Sequence, residues 1–172
     1  MDEPHNFYRE YNLIEARRNH SKKEPASHQA AALDHLHQWY RSNPKPYAGG
    51  ILVLPTGGGK TFTGVRFLCR NALSDGYKVL WLAHTHHLLD QAFHSLGEDV
   101  GQIAEPKSYL NVRVVSGGIG YYPVHTIKPE DDVVIATLQT ITKAYKEKHP
   151  ALGKFIDSSH GKLFIVFDEA HH

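Results

Sequence analysis

The chain has 172 residues, 41% of them apolar and 22% charged, which is enough for one domain with a buried core and too few for two ordinary ones. Nineteen Lys and Arg face eighteen Asp and Glu, so the total charge demands no polyanionic partner, although a local basic groove fits within a neutral total. A single cysteine, Cys69, excludes an internal disulfide and points to an intracellular, cytoplasmic setting; no signal peptide opens the chain, and no apolar run reaches the roughly 20 residues that cross a bilayer, so no membrane partner is expected.

Residues 1–24 are polar and mixed in charge and read as an N-terminal flank or a short helix, leaving 25–172 as the domain proper. From Ser27 to Arg41 the apolar residues fall at helical spacing, with Ser27 placed to cap the start. "SNPKPYAGG" breaks that helix, and "ILVLP" (51–55) follows as a short apolar run of the kind that forms a strand buried on both faces. The pattern then alternates. Helix is expected over 60–73, strand over 78–84, helix over 86–96 and strand over 111–117. Strand over 132–137, helix over 138–148 and strand over 162–169 complete it. Val- and Ile-rich strands alternating with helices predict an α/β fold, a mostly parallel sheet with helices on both faces. Ligands in such sheets sit at the carboxyl ends of the strands. No Cys–His spacing among the fourteen histidines matches a structural zinc site.

Two stretches at strand ends carry chemistry. "LPTGGGKT" (54–61) follows the first apolar run. Its glycines, Gly57, Gly58 and Gly59, let the backbone after Thr56 turn its N–H groups toward an anion, at the positive end of the next helix. Lys60 can reach the β- and γ-phosphates of a nucleotide, and the Thr61 hydroxyl can ligate Mg²⁺. The full phosphate-loop expression has Gly six residues before the Lys; here that position is Leu54, so the match is to the GKT end. "LFIVFDEAHH" (163–172) runs from apolar residues straight into two acids. Asp168 would supply the second anchor for Mg²⁺, through water, and Glu169 would orient or deprotonate the water that attacks the γ-phosphate of ATP.

Together, "LPTGGGKT" and "VFDEAHH" resemble the superfamily 2 helicases and translocases, in the DEAH-type branch with the type III restriction-enzyme translocating subunits. The resemblance runs from about Pro25 to His172 and implies a RecA-like P-loop NTPase domain using ATP and Mg²⁺. "PASHQAAALDHL" resembles the adenine-reading Q motif, which implies that Gln29 pairs with the adenine edge. "VLWLAHTHHLLDQA" and "VVIATLQTI" resemble the motifs that hold the sugar-phosphate backbone. They imply nucleic-acid contact by His84, Thr85, His86 and Thr137, with Gly117 and Gly118 of "SGGIG" as a further candidate. His171 would couple the nucleotide site to the strand-binding side. DNA ranks ahead of RNA as the partner, and a nuclease or methyltransferase is a conceivable associate.

The resemblance also implies a second RecA-like lobe bearing an arginine finger. The sequence ends at His172 without one, so it reads as a piece of a longer protein, expected to be nearly inactive alone. Two alternatives would use the same loop: a P-loop kinase, against which the DEAH tetrapeptide and Gln29 argue, and a non-catalytic nucleotide-sensing scaffold, against which intact Lys60, Asp168 and Glu169 argue.

Overall fold

A computed structural model describes residues 7–19, 22–42 and 48–169. Five strands form one sheet in the order β1-β3-β4-β2-β5: β1 (Tyr8–Asn12), β2 (Lys78–Ala83), β3 (Tyr109–Val115), β4 (Val133–Thr137) and β5 (Leu163–Phe167). Four of them run parallel, and β1 lies antiparallel on β3, with Tyr8 opposite Arg113 and Asn12 opposite Tyr109. Alternate side chains of β2 divide the core. Val79, Trp81 and Ala83 face one cluster, built with α3 (Lys60–Arg70) and α4 (His86–Asp99); Leu80 and Leu82 face the other, built with α5 (Leu138–Lys146) and α6 (Pro150–Ser158). Helices thus cover both faces, as the alternating pattern predicts. The period of two along each strand puts successive side chains into opposite layers.

The N-terminal flank is more structured than its composition suggests. After β1, α1 (Leu13–Arg18) starts on Asn12, whose side chain accepts from the N–H groups of Ile14 (3.0 Å) and Glu15 (3.2 Å). Leu13 is fully buried, and Arg17 donates to the carbonyls of Ile103, Ala104 and Lys107. The helix α2 (Ser27–Ser42) then lies against α3.

The run 51–55 is a correction. It is not a strand: Ile51 and Val53 are 90% and 80% exposed, and no strand among the described residues pairs with it. A strand is a property of a pair, because its N–H and C=O rows need partners. Among the described residues β5 closes the sheet, bonded to β2 on one side only. On β5, Phe164 and Val166 pack into the α3/α4 layer, whereas Ile165 and Phe167 stand 47% and 56% exposed. An edge with apolar side chains on its open face is a template for pairing. The chain is therefore expected to self-associate with rising concentration in analytical ultracentrifugation. The double substitution Ile165→Lys/Phe167→Lys should keep it monomeric; self-association undiminished by those charges would place the contact elsewhere.

Candidate active site

The phosphate loop owes its shape to its glycines. Gly57 and Gly59 have φ of 75° and 78°, in the left-handed region where a side chain is costly. The Gly58 N–H donates to the Pro55 carbonyl at 2.8 Å. Gly59 is the N-cap of α3, without a side-chain cap, so the first N–H groups of that helix point into the loop with no side chain closing them off. A Cβ on Gly59 would sit 2.3 Å from Gln29 Nε2. That close approach has a purpose: Gln29 Nε2 donates to the Gly58 carbonyl at 3.0 Å, and the His28 ring nitrogen lies 3.1 Å from the same oxygen. Gln29 Oε1 accepts from the Ala26 N–H at 3.0 Å. The start of α2 is therefore clipped onto the loop, and His28 joins Gln29 in a role that sequence spacing did not reveal.

The acidic tip follows β5 directly. The Asp168 N–H donates to the Leu82 carbonyl at 2.8 Å, continuing the ladder one residue beyond the strand and fixing the side chain at the carboxyl end of the sheet. Asp168 Oδ2 is buried without a hydrogen-bond partner among the described residues. Burial is the main cause that raises the Asp168 carboxyl above its ordinary value of 3.8, and the neighbouring Glu169 raises it further. The Trp81 indole, the Glu169 backbone N–H and the Lys60 ammonium act the other way. Trp81 Nε1 itself completes no hydrogen bond among the described residues. Lys60 and Asp168 thus lie within electrostatic reach on one rim of the sheet. Glu169 has φ of 52°, a left-handed backbone that a non-glycine residue adopts only where its surroundings hold it. Thr61, next to Lys60, is buried to 9% exposure at the start of α3. A buried carboxylate oxygen with no partner among the described residues, within electrostatic reach of Lys60, fits a phosphate-bound divalent cation.

The residues read as nucleic-acid contacts gather on the same rim, at the ends of β2, β3 and β4. Thr85 caps α4, accepting from the Leu88 N–H at 3.4 Å. His86 Nε2 lies 2.7 Å from Ser116 Oγ, and a Cβ on Gly118 would come within 2.5 Å of the His86 ring, so the structure brings His86 and the 116–120 loop together. His86 stacks on Tyr121 (centroids 4.5 Å, 23°), which stacks in turn on Phe7 (4.5 Å, 20°) and donates to Asp90 at 2.7 Å. Ser116, Tyr121 and Phe7 lie 30 or more residues from their partners; Ser116 opens the "SGGIG" stretch, but no local pattern marks Tyr121 or Phe7. Thr137 is buried, and its hydroxyl donates to Thr140 Oγ1 at 2.7 Å; a Cβ on Gly117 would meet nothing within 4 Å. His84 is half-buried at the mouth of a groove along α5. His171 lies outside the described residues.

A mostly parallel sheet flanked by helices, a glycine loop opening a helix and an acid at a neighbouring strand tip define a RecA-like domain. The chain belongs to the type III restriction enzyme, res subunit family, which matches residues 22–172 and is a family of superfamily 2 helicase N-terminal domains. No curated protein and no solved structure matches it. Membership makes this an ATP-dependent helicase-like domain; related proteins are ATPases or helicases that typically use ATP and Mg²⁺ and interact with nucleic acid. No helix among the described residues is long and apolar enough to cross a membrane.

Proposed function

We propose that this chain is the ATP-binding lobe of a DEAH-type, nucleic-acid-dependent ATPase, a helicase or translocase acting on DNA. One observation carries the reading: Asp168, whose Oδ2 is buried with no hydrogen-bond partner among the described residues, lies within electrostatic reach of Lys60, which opens the helix behind the glycine loop. The loop amides and Lys60 bind the β- and γ-phosphates. Thr61 and Asp168 hold Mg²⁺, which neutralises phosphate charge when bound. Glu169 takes a proton from the attacking water. Gln29 keeps one N–H and one lone pair beyond its bonds to the loop and to Ala26, which is what a bidentate pairing with adenine needs. Thr137, Thr85, His84 and the 116–120 loop, held by His86, face the phosphodiester backbone, and His171 couples the two sides.

In related two-lobed helicases a finger arginine comes from a second RecA-like lobe. Without it, hydrolysis falls by about 10³- to 10⁵-fold. The 172-residue chain is therefore expected to bind MgATP in calorimetric titration, to turn it over negligibly, and to separate no strands. Lys60→Ala should abolish detectable binding at concentrations where the parent saturates. A Lys60→Ala variant that binds like the parent, or vigorous unwinding by the chain alone, would overturn the reading.

A further inference from the structure

The helix α5 runs on past the motif "VVIATLQTI" (133–141), and the face it carries there is one that the motifs do not account for. Gln139, Thr142, Lys143 and Lys146 follow i, i+3, i+4, i+7 spacing, and all four are exposed. With His84 at its head they line a groove of about 590 Å³. None of these five side chains makes a hydrogen bond or ion pair among the described residues. The single acid in the groove, Glu147, lies at its far end. At the near end α5 begins at Thr137 without a side-chain cap, so its first N–H groups lack a side-chain acceptor. An uncapped helix start, then uncommitted amide, hydroxyl and imidazole groups, then two lysines make a graded path for an extended polyanion.

We infer that a single nucleic-acid strand continues off the strand-end rim into this groove, with its phosphates carried by the α5 start and by Lys143 and Lys146. The inference rests on the nucleic-acid reading above and extends it from the motif residues His84 and Gln139 to Thr142, Lys143 and Lys146, which lie outside the recognised motifs. Gln139 to Lys146 spans about 10 Å of helix, room for roughly three phosphates of one strand. The bland alternative is that the two lysines only complement the negative end of the α5 dipole. The two readings differ in salt dependence, because only phosphate contacts release counterions.

The test is fluorescence anisotropy of a labelled oligodeoxythymidylate across a salt series, for the parent chain and Lys143→Ala/Lys146→Ala. The double variant should bind about tenfold or more weakly at low salt, and the slope of log K against log salt should flatten by about 1.4. Its affinity for MgATP should not change, which separates this surface from the nucleotide site. Tyr145→Ala alters an exposed side chain of the same helix outside the groove and should behave as the parent. If the parent binds the oligonucleotide and the double variant matches it in affinity and slope, the α5 path is wrong while the nucleic-acid reading stands. If the parent binds no oligonucleotide, both fall.

Discussion

Replacing Arg66 by methionine is expected to cost about 3–5 kcal/mol of unfolding free energy, read as a fall in the urea midpoint. Arg66 lies on α3, 2% exposed, and each of its three guanidinium nitrogens makes a hydrogen bond. Nε and one terminal nitrogen bind the two oxygens of Asp99 at 3.1 and 2.8 Å, the other terminal nitrogen donates to the Lys23 carbonyl at 2.7 Å, and the group sits 4.5 Å from the Phe62 ring centroid. Asp99, at the end of α4, is itself 2% exposed. Methionine fills similar volume and leaves that carboxylate buried and unpaired, which is the expensive outcome. The paired variant Arg66→Met/Asp99→Leu removes both charges and should recover most of the loss. If the double variant is as unstable as the single one, the cost lies in packing or in the released Lys23 carbonyl. Such a loss is a large share of an ordinary domain's stability, so the double variant is also the safeguard if the single one fails to fold. Function is expected to suffer too, since Lys23 leads into the segment whose Gln29 clips the phosphate loop.

The elements that were legible in the sequence share one trait: their apolar residues are contiguous or periodic, and their partners are other elements of the same kind. That holds for β2, β4 and β5, and for α3, α4 and α5. The failures have separate causes. The run 51–55 has the composition of a buried strand, but pairing depends on what lies opposite, and composition cannot report that. The strand β1, "YREYN", carries two charges in five residues because it is an edge strand with one pairing partner, so its pattern is weak. It also lies before residue 22, outside the family match, as do α1 and Phe7. The helix α6 starts from His149, whose ring accepts the Ala151 N–H at 3.2 Å, with Pro150 in its first turn and Gly153 inside it, and these read as loop residues. At the site the difference is again one of range. The glycine loop and the Asp168–Glu169 tip are written in a few consecutive residues. The clips around the rim, Gln29 on Gly58 at the glycine loop and His86 on Ser116 and Phe7 on Tyr121 at the 116–121 segment, join residues 29 to 114 positions apart, and only folding brings them together.

Asp168→Asn is expected to make the ligand-free chain more stable at neutral pH while removing the Mg²⁺-dependent part of its nucleotide affinity, by about 10- to 100-fold. The sign follows from linkage. Burial and Glu169 raise the folded-state carboxyl above the ordinary 3.8, so the folded chain holds the Asp168 proton more tightly than the unfolded chain does. Its contribution to stability is fully present below the unfolded value and is lost as pH rises through the folded one. At neutral pH the ionised carboxylate is a burden on the fold, with Oδ2 buried and without a partner among the described residues. Asparagine removes the charge at nearly constant shape, and thermal melts should show its gain over the parent at pH 7 shrinking as the parent's carboxyl becomes protonated in acid. The same charge is what a cation would use. A site that strains the empty fold and is relieved by its ligand trades stability for binding. The parent should accordingly gain more melting temperature from MgATP than from ATP with chelator, and the variant should gain equally from both. A variant that is destabilised when ligand-free, or that keeps its response to Mg²⁺, would show that Asp168 is held by groups other than those named here and does not anchor the metal.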